Sequence, residues 1–509
     1  MTWKTAILPQ AMHCYHCGHF QGVIGMGKAA VFGVAAVVVA GGAYIGAAAY
    51  SGSLVQKQYD AAFDKMARTL PFIKIVDRKY DKGLFSSTAS YGLRLGCDLQ
   101  EGSAATITVR DTIVHGPFPD FAGVGAARID TQIVLPPDAL PSDAPESLRQ
   151  WIGGIKPEAI RTMVGFDGAF TTRVELPAGE VKEDEGRLHW QAMRATFRMN
   201  GARTHLSYNL DVPEVAFDLS RAGETGSLKL VNLRVQSDSE LANLLMTNGT
   251  STGSLDSLQL ASSKAGLFVD LNQVKLTSSG KTENDLLGAT TSVTGALDIK
   301  VGGKSFRFDK IELQESLKRI HAPTLQKITL GIWQELGGIC RKTPAELAQS
   351  LQGKQAEMLL GFKQLLIYNP EYSVDKIAVT YEGQEGTLAY SVAASGVTDQ
   401  DLQQPDVRNL LNKVTAKASA RLPVAWLEKI AAESAGGKVT PQEIHAKIDA
   451  AISQMNQAGY VVREGDFIAS AALFEHGQLT VNGKPLDSRA LMMGHPGHSG
   501  GGEANGEED

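Results

Sequence analysis

From Trp190 onward, apolar residues recur at offsets of two, three and two. Trp190, Ala192, Ala195 and Phe197 form one copy; Leu210, Val212, Val215 and Phe217 form the next, and Leu228, Leu230, Leu233 and Val235 a third. The spacing returns at Val269, Leu271, Val274 and Leu276, at Phe306, Phe308, Ile311 and Leu313, and at Tyr372, Val374, Ile377 and Val379. Strict alternation puts every second side chain on one face, so the extra step would send the later pair to the opposite side. A bulge absorbs the extra residue, keeps both pairs on one face and bends the strand. The intervening pairs are often polar (Asn272-Gln273, Asp309-Lys310, Asp375-Lys376), as an outward bulge favours. Plain alternation also occurs, with Leu206, Tyr208, Leu210 and Val212 set against His205, Ser207, Asn209 and Asp211. Irregular distances between copies exclude a fixed-period solenoid. The pattern predicts an α+β fold: a long, curved, mainly antiparallel sheet with one apolar and one polar face, and helices packed on the apolar face.

Helical periodicity interrupts the strands twice. Residues 323–368 carry Leu325, Ile328, Ile332, Leu336, Leu347, Leu351, Met358, Phe362 and Leu366, with breaks at Gly337-Gly338 and Pro344. Residues 407–457 predict two or three further helices, broken at Pro423 and Gly436-Gly437, with Thr440-Pro441-Gln442-Glu443 as a helix start. Short strands over Tyr460–Val462, 466–474 and 477–485 close the domain. Residues 494–509, rich in Gly and acidic side chains, read as a disordered acidic tail.

The N-terminal region has a different character. Residues 29–50, AAVFGVAAVVVAGGAYIGAAAY, lack any charge. At about 1.5 Å per residue they are long enough to cross a bilayer's hydrocarbon core of about 30 Å. Ala47-Ala48-Ala49 imitates a signal-peptide cleavage site, but the run is longer than an ordinary signal-peptide core, which favours an uncleaved anchor. Gly42 and Gly46 form a GxxxG step suited to close helix contact and hence to a homodimer. Residues 51–70 predict an amphipathic stalk whose Val55, Tyr59, Phe63, Met66 and Leu70 share one face. That stripe either packs on the chain's own domain or continues a dimer as a short coiled coil. The domain proper spans 71–493, and residues 1–28 form a short segment on the other side of the membrane.

Composition narrows the chemistry without naming it. A net charge of −6, with 49 basic and 55 acidic residues, offers no electrostatic case for nucleic acid. Four cysteines do not make a disulfide scaffold, and Cys97 and Cys340 are the two that an oxidising compartment would allow to pair. Cys14 and Cys17, among His13, His16 and His19, lack the second ligand pair of a zinc site. Met26 directly precedes the apolar run, and a start there would leave that CxxC outside the protein. No phosphate-cradling loop, nucleophile elbow, HExxH helix or EF-hand loop is present, and no cofactor is expected. His115, in His115-Gly116-Pro117, is the foremost lone catalytic candidate, set against the ordinary work of a residue entering a turn. Trp190, Trp333 and Trp426 read as core anchors.

Four stretches together carry a resemblance: the anchor, Asp81-Lys82-Gly83-Leu84-Phe85-Ser86-Ser87-Thr88, Val114-His115-Gly116-Pro117-Phe118-Pro119, and the terminal segment 477–485. They resemble the YdgA-like family of Gram-negative envelope proteins, a domain of unknown function, over about residues 29–486. The resemblance implies an inner-membrane anchor with the bulk of the chain in the periplasm, and it brings no catalytic residues. The expectation is a non-enzymatic binding or scaffold protein of the envelope, in contact with membrane lipid through its anchor. The alternative is a lipid- or apolar-ligand-binding protein that uses a groove of the sheet, or holds an apolar segment of an envelope partner there.

Overall fold

The computed structural model describes residues 73–83, 86–95, 106–115, 119, 123–134, 145–221, 223–243, 246–338, 360–403, 406–436 and 439–486. The anchor with Gly42 and Gly46, the stalk with Val55, Tyr59, Phe63, Met66 and Leu70, and Cys97, Cys340 and the acidic tail lie outside them. Among the described residues no helix is long and apolar enough to cross a membrane.

Among the described residues, one antiparallel sheet of 22 strands dominates. Its N-terminal part comprises β1 (Ile73–Lys82), β2 (Ser86–Leu95), β3 (Thr106–His115), β4 (Ala127–Val134), β5 (Ile160–Val164) and β6 (Phe170–Leu176), each paired to the next. Two broken strands follow: β6 continues as β7 (Gly179–Lys182), and β8 (Gly186–Trp190) continues as β9 (Met193–Met199). β6 pairs with β9 and β7 with β8. Both β8 and β9 then pair along β10 (His205–Arg221). Six long strands run on from there: β10, β11 (Glu224–Asn243), β12 (Met246–Ser262), β13 (Leu267–Glu283), β14 (Leu286–Val301) and β15 (Lys304–His321). β16 (Glu371–Tyr381), β17 (Gln384–Ala394), β18 (Val414–Pro423), β19 (Val462–Glu464), β20 (Phe467–Glu475), β21 (Gln478–Val481) and β22 (Lys484–Pro485) complete it.

The two parts of the sheet differ in burial. In the N-terminal part, alternate residues of neighbouring strands form one cluster that includes Tyr91, Val109, Ile113, Ile129, Val164 and Phe170. Val109 and Ile129 have no exposed surface at all. Buried polar side chains on this face pair with one another, the Thr131 hydroxyl donating to the Asp111 carboxylate at 2.6 Å and the Thr162 and Thr172 hydroxyls bonding at 2.9 Å. Burial and the neighbouring Asp111 carboxylate push the Tyr91 hydroxyl well above its ordinary pKa. At the break between β6 and β7, Trp151 of helix Glu146–Gly153 and Trp190 meet edge to face at 4.8 Å. Both indoles donate to the Pro177 carbonyl, at 3.3 and 3.1 Å. Gly179 is required beneath them: a Cβ there would lie 2.4 Å from the Trp190 ring.

The long strands carry the repeated offset, and their register explains it. The phase of alternation shifts along one line that crosses consecutive strands. Residues 191–192 separate β8 from β9, and Pro213 faces Asn232 where both drop out of the ladder between Val212↔Leu233 and Glu214↔Val231. Asp256 and Gln273 drop out between Leu255↔Val274 and Ser257↔Asn272. Register slips follow at Asn272/Lys275, Gly295/Leu297 and Phe308/Lys310. Asn232 and Gln273 hold left-handed backbone, each at φ 53, and Asn232 donates to Asp256 at 2.7 Å. A proline cannot donate to a ladder, so Pro213 fits only where the ladder is already open. Five of the six predicted irregularities are therefore one aligned feature, whereas the sixth, at Asp375-Lys376, is a separate slip between Val374 and Ile377.

Other helices meet the sheet farther along the chain. Leu325 and Thr329 of helix Ala322–Gly338 line, together with Ser239, Ser251 and Gly280, a half-open cavity of about 330 Å³. Trp426 of helix Val424–Ser434 packs on Gly386 so closely that a Cβ there would come within 2.5 Å of the ring. Helix Pro441–Gln457 starts with a full capping box between Thr440 and Glu443, at the predicted start. The expectation of helix throughout 407–457 needs correction, because β18 occupies Val414–Pro423. Val414, Ala416, Ala418, Ala420 and Leu422 alternate with Thr415, Lys417, Ser419 and Arg421, a period of two within an Ala-rich stretch that favours helix by composition. Pairing on both sides, with β17 and β20, outweighs that local preference.

Candidate binding face

Below the line of phase shift, three rows of side chains run across the long strands on one face. The first joins Trp190, Val215, Leu230, Leu258, Leu271, Leu297, Phe308 and Tyr381. The second joins Leu188, Phe217, Leu228, Leu260, Val269, Ile299 and Phe306. The third, at the strand ends, carries Leu219, Gly226, Ser262, Leu267 and Val301. The reverse face of the same segments holds Asp218, Lys229, Gln259, Asp270, Asp298 and Arg307. It is laced by polar contacts such as Lys229–Glu214 at 3.0 Å and Ser257 donating to Asp270 at 2.7 Å.

Among the described residues, this apolar face is covered at one end. Phe308 stacks against Tyr381 at 5.3 Å, and Tyr381 meets Trp426 at 6.3 Å, beneath helix Val424–Ser434. Lys304 ties the same helix to the strand ends through Glu433 at 3.0 Å. Toward β10 to β14 the rows stay open: Leu219, Leu228, Leu260 and Val301 are each 41–44% exposed. Adjacent strands lie about 4.8 Å apart, so the row from Phe217 to Phe306 extends roughly 24 Å. That exceeds the thickness of one membrane leaflet's hydrocarbon, about 15 Å as half of about 30 Å.

The residues singled out by motif lie elsewhere. Gly83 precedes β2, and a Cβ on it would sit 2.2 Å from the Ser86 carbonyl oxygen, so that turn admits only glycine. Leu84, Phe85, Gly116 and Pro117 fall outside the described residues. Ser86 and Ser87 open β2, and His115 is the last residue of β3 rather than a turn residue. The structure joins the two motif stretches: the Ser87 hydroxyl bonds His115 Nε2 at 3.0 Å. A hydroxyl on an imidazole has the form of a nucleophile and its base. Ser87, however, is only 2% exposed. The pair fastens the ends of two strands. Ser87→Ala should cost about 1 kcal/mol of folding free energy, read as a lowered urea midpoint with unchanged slope.

A second polar knot lies on the sheet. Glu312, 9% exposed, accepts from Lys310 at 2.8 Å, Lys376 at 3.1 Å and Gln314 at 2.6 Å. The Lys310 and Lys376 ammonium groups hold its carboxyl down to about 2, from an ordinary value of 4.5. Folding lowers this pKa, so the stabilisation is complete above pH 4.5 and drains away as pH falls toward 2. Glu312→Gln should therefore flatten the dependence of the urea midpoint on pH across that window, compared with the natural protein.

The rows on β12 and β14 escaped the repeated offset in sequence. Gly253, Leu255, Leu258 and Leu260 keep the two-three-two step but begin on a glycine, and Val293, Gly295, Leu297 and Ile299 lack the extra residue. Their partners in register, not their own spacing, place them on the face.

A family described as "Bacterial protein of unknown function (DUF945)" matches residues 26–488. That range takes in the apolar run, both motif stretches and every strand of the sheet. No curated protein and no solved structure matches the chain.

Proposed function

The chain belongs to DUF945, a family of bacterial proteins of unknown function, and from that premise we propose that it is a non-enzymatic binding protein of the cell envelope whose long sheet holds lipid acyl chains. One observation carries the reading: Leu219, Leu228 and Leu260 of the second and third rows stand 41–44% exposed on a face that, among the described residues, a helix closes at one end. Large apolar side chains aligned across several strands and left in water cost free energy, and a contiguous patch of this kind marks a binding surface. The residues 29–50 that suit a membrane span, and the YdgA-like resemblance, support a location at the inner membrane with the sheet on the periplasmic side. From there lipid is the most abundant apolar ligand within reach. A scaffold role would instead have helices fill the face; among the described residues, helix Val424–Ser434 covers its Phe308–Tyr381 end.

The test is positional. A photo-crosslinking side chain at Leu260 in the full chain, produced in bacterial membranes, should yield adducts of phospholipid mass. The same group at Gln259, on the reverse face, should not. Protein-sized adducts alone from Leu260 would favour the scaffold, and absence of any adduct would reject the binding face.

A further inference from the structure

The reverse face of the N-terminal strands carries charge of one sign. From β3 to β6 and on β9, the residues that alternate with the buried cluster include six arginines, Arg110, Arg128, Arg161, Arg173, Arg194 and Arg198, and no lysine. The same positions bring two carboxylates, Asp130 and Glu175. This basic excess stands in a chain whose net charge is −6. Asp130 is engaged by Arg128 at 3.0 Å and by Arg161 at 2.8 Å, and Glu175 lies in register with Arg194. Arg110, Arg173 and Arg198 are exposed and make no ion pair among the described residues. Arg173 sits directly opposite Arg161, and diagonally from Arg198, which faces Thr171. Like charges in that register repel, so folding gains nothing from placing them there.

A second feature lies at one end of this face. Val124 and Phe166, at 70% and 67%, are the two most exposed large apolar side chains of the described residues. The Ala126 N–H donates to the Val164 carbonyl at 2.7 Å, which draws residues 123–126 alongside the β5–β6 turn that carries Phe166. The acid of that turn, Asp167, is occupied by the Ala169 N–H at 3.0 Å. This apolar tip stands beyond the row of Arg128, Met163, Thr171 and Arg198 by roughly 10 Å, at about 3.3 Å per residue.

We infer that the arginine face and its apolar tip form a docking surface for an anionic phospholipid bilayer. Guanidinium forks match phosphate oxygens in pairs, and arginines set between threonines on rigid strands hold that match across several headgroups. Val124 and Phe166 leave water by entering the boundary between headgroups and acyl chains. The headgroup layer of one leaflet is about 5–8 Å deep, so a sheet that leans on the surface sets Arg198 and Arg173 among the phosphates when the tip is inserted. An acidic protein or a nucleic acid would meet the charge and leave the tip in water, and the tip therefore decides for the bilayer. The surface is independent of the acyl-binding reading, which concerns the long strands.

The test uses the full chain with a photo-crosslinking side chain at Phe166, in nanodiscs of phosphatidylcholine alone or mixed equally with phosphatidylglycerol. Lipid adducts should be about tenfold more abundant in the anionic discs, and salt at about 1 M, where the Debye length is about 3 Å, should abolish the difference. In the triple variant Arg110→Gln, Arg173→Gln, Arg198→Gln the ratio should fall to about one, while the urea midpoint holds or rises as like charges are relieved. The same probe at Ile430, 64% exposed on helix Val424–Ser434, should respond equally to the two lipid compositions. Equal yields from Phe166 in the two discs would overturn the docking surface, and so would a preference that survives the triple variant or appears equally at Ile430. Adducts of protein size alone, formed at Phe166 in bacterial membranes, would overturn it in favour of an acidic protein partner.

Discussion

Trp190→Ala should destabilise the protein by about 3–5 kcal/mol, the range for removing a large buried aromatic. Trp190 is only 9% exposed, and it does three things at once. Its ring packs edge to face on Trp151, its N–H satisfies the Pro177 carbonyl, and it starts the first apolar row opposite Val215. Removing it leaves a cavity above Gly179, where the backbone is drawn close because no Cβ intervenes. Trp151 would still donate to Pro177, so the carbonyl keeps a partner and the loss is chiefly one of packing. Urea unfolding followed by circular dichroism measures the effect. A double-mutant cycle with Trp151→Phe should return a coupling of about 0.5–1.5 kcal/mol, the worth of an aromatic pair beyond its buried area. A loss below about 1 kcal/mol for Trp190→Ala would mean that the corner is held by something other than the indole pair.

The second large effect is a contrast between the two parts of the sheet. Ile129→Ala should cost about 2–5 kcal/mol, because Ile129 has no exposed surface and the surrounding strands cannot collapse onto the void. Leu228→Ala, at 42% exposure, should cost less than about 1 kcal/mol. The same pair should reverse in a binding assay. Leu228→Ala should lower lipid crosslinking from a probe at Leu260, its register partner on β12, while Ile129→Ala should leave it unchanged in the fraction that remains folded. If both substitutions prove equally costly to stability, the long strands hide a core at Leu228 and the binding face loses its basis.

The sheet was legible in the sequence because its apolar rows repeat on strand after strand. The offset of two, three and two marked the phase shift correctly at Leu210–Phe217, 228–235 and 269–276. It did not reveal that these shifts line up, since alignment depends on hairpin lengths and pairing partners, which a single strand does not carry. The same blindness hid Leu258 and Leu260, whose copy begins on Gly253, and β18, whose alanines look helical until β17 and β20 flank it. Gly83 and His115 were visible as motif positions. Their roles were not, because the first is set by the approach of the Ser86 carbonyl and the second by a hydrogen bond 28 residues back along the chain.

The line of open pairings through Pro213, Asn232, Asp256 and Gln273 also has a mechanical meaning. A continuous ladder resists flexing along its whole length, whereas one missing bond in each successive strand concentrates compliance into a crease. The two halves of the long strands can then tilt about that crease without breaking the pairs on either side. The sheet would thus widen or narrow its apolar trough as a ligand enters, at far less cost than deforming a uniform sheet. Amides along the crease, at Asn232, Leu233 and Gln273, would exchange with solvent ahead of their neighbours, and would slow when the trough is filled.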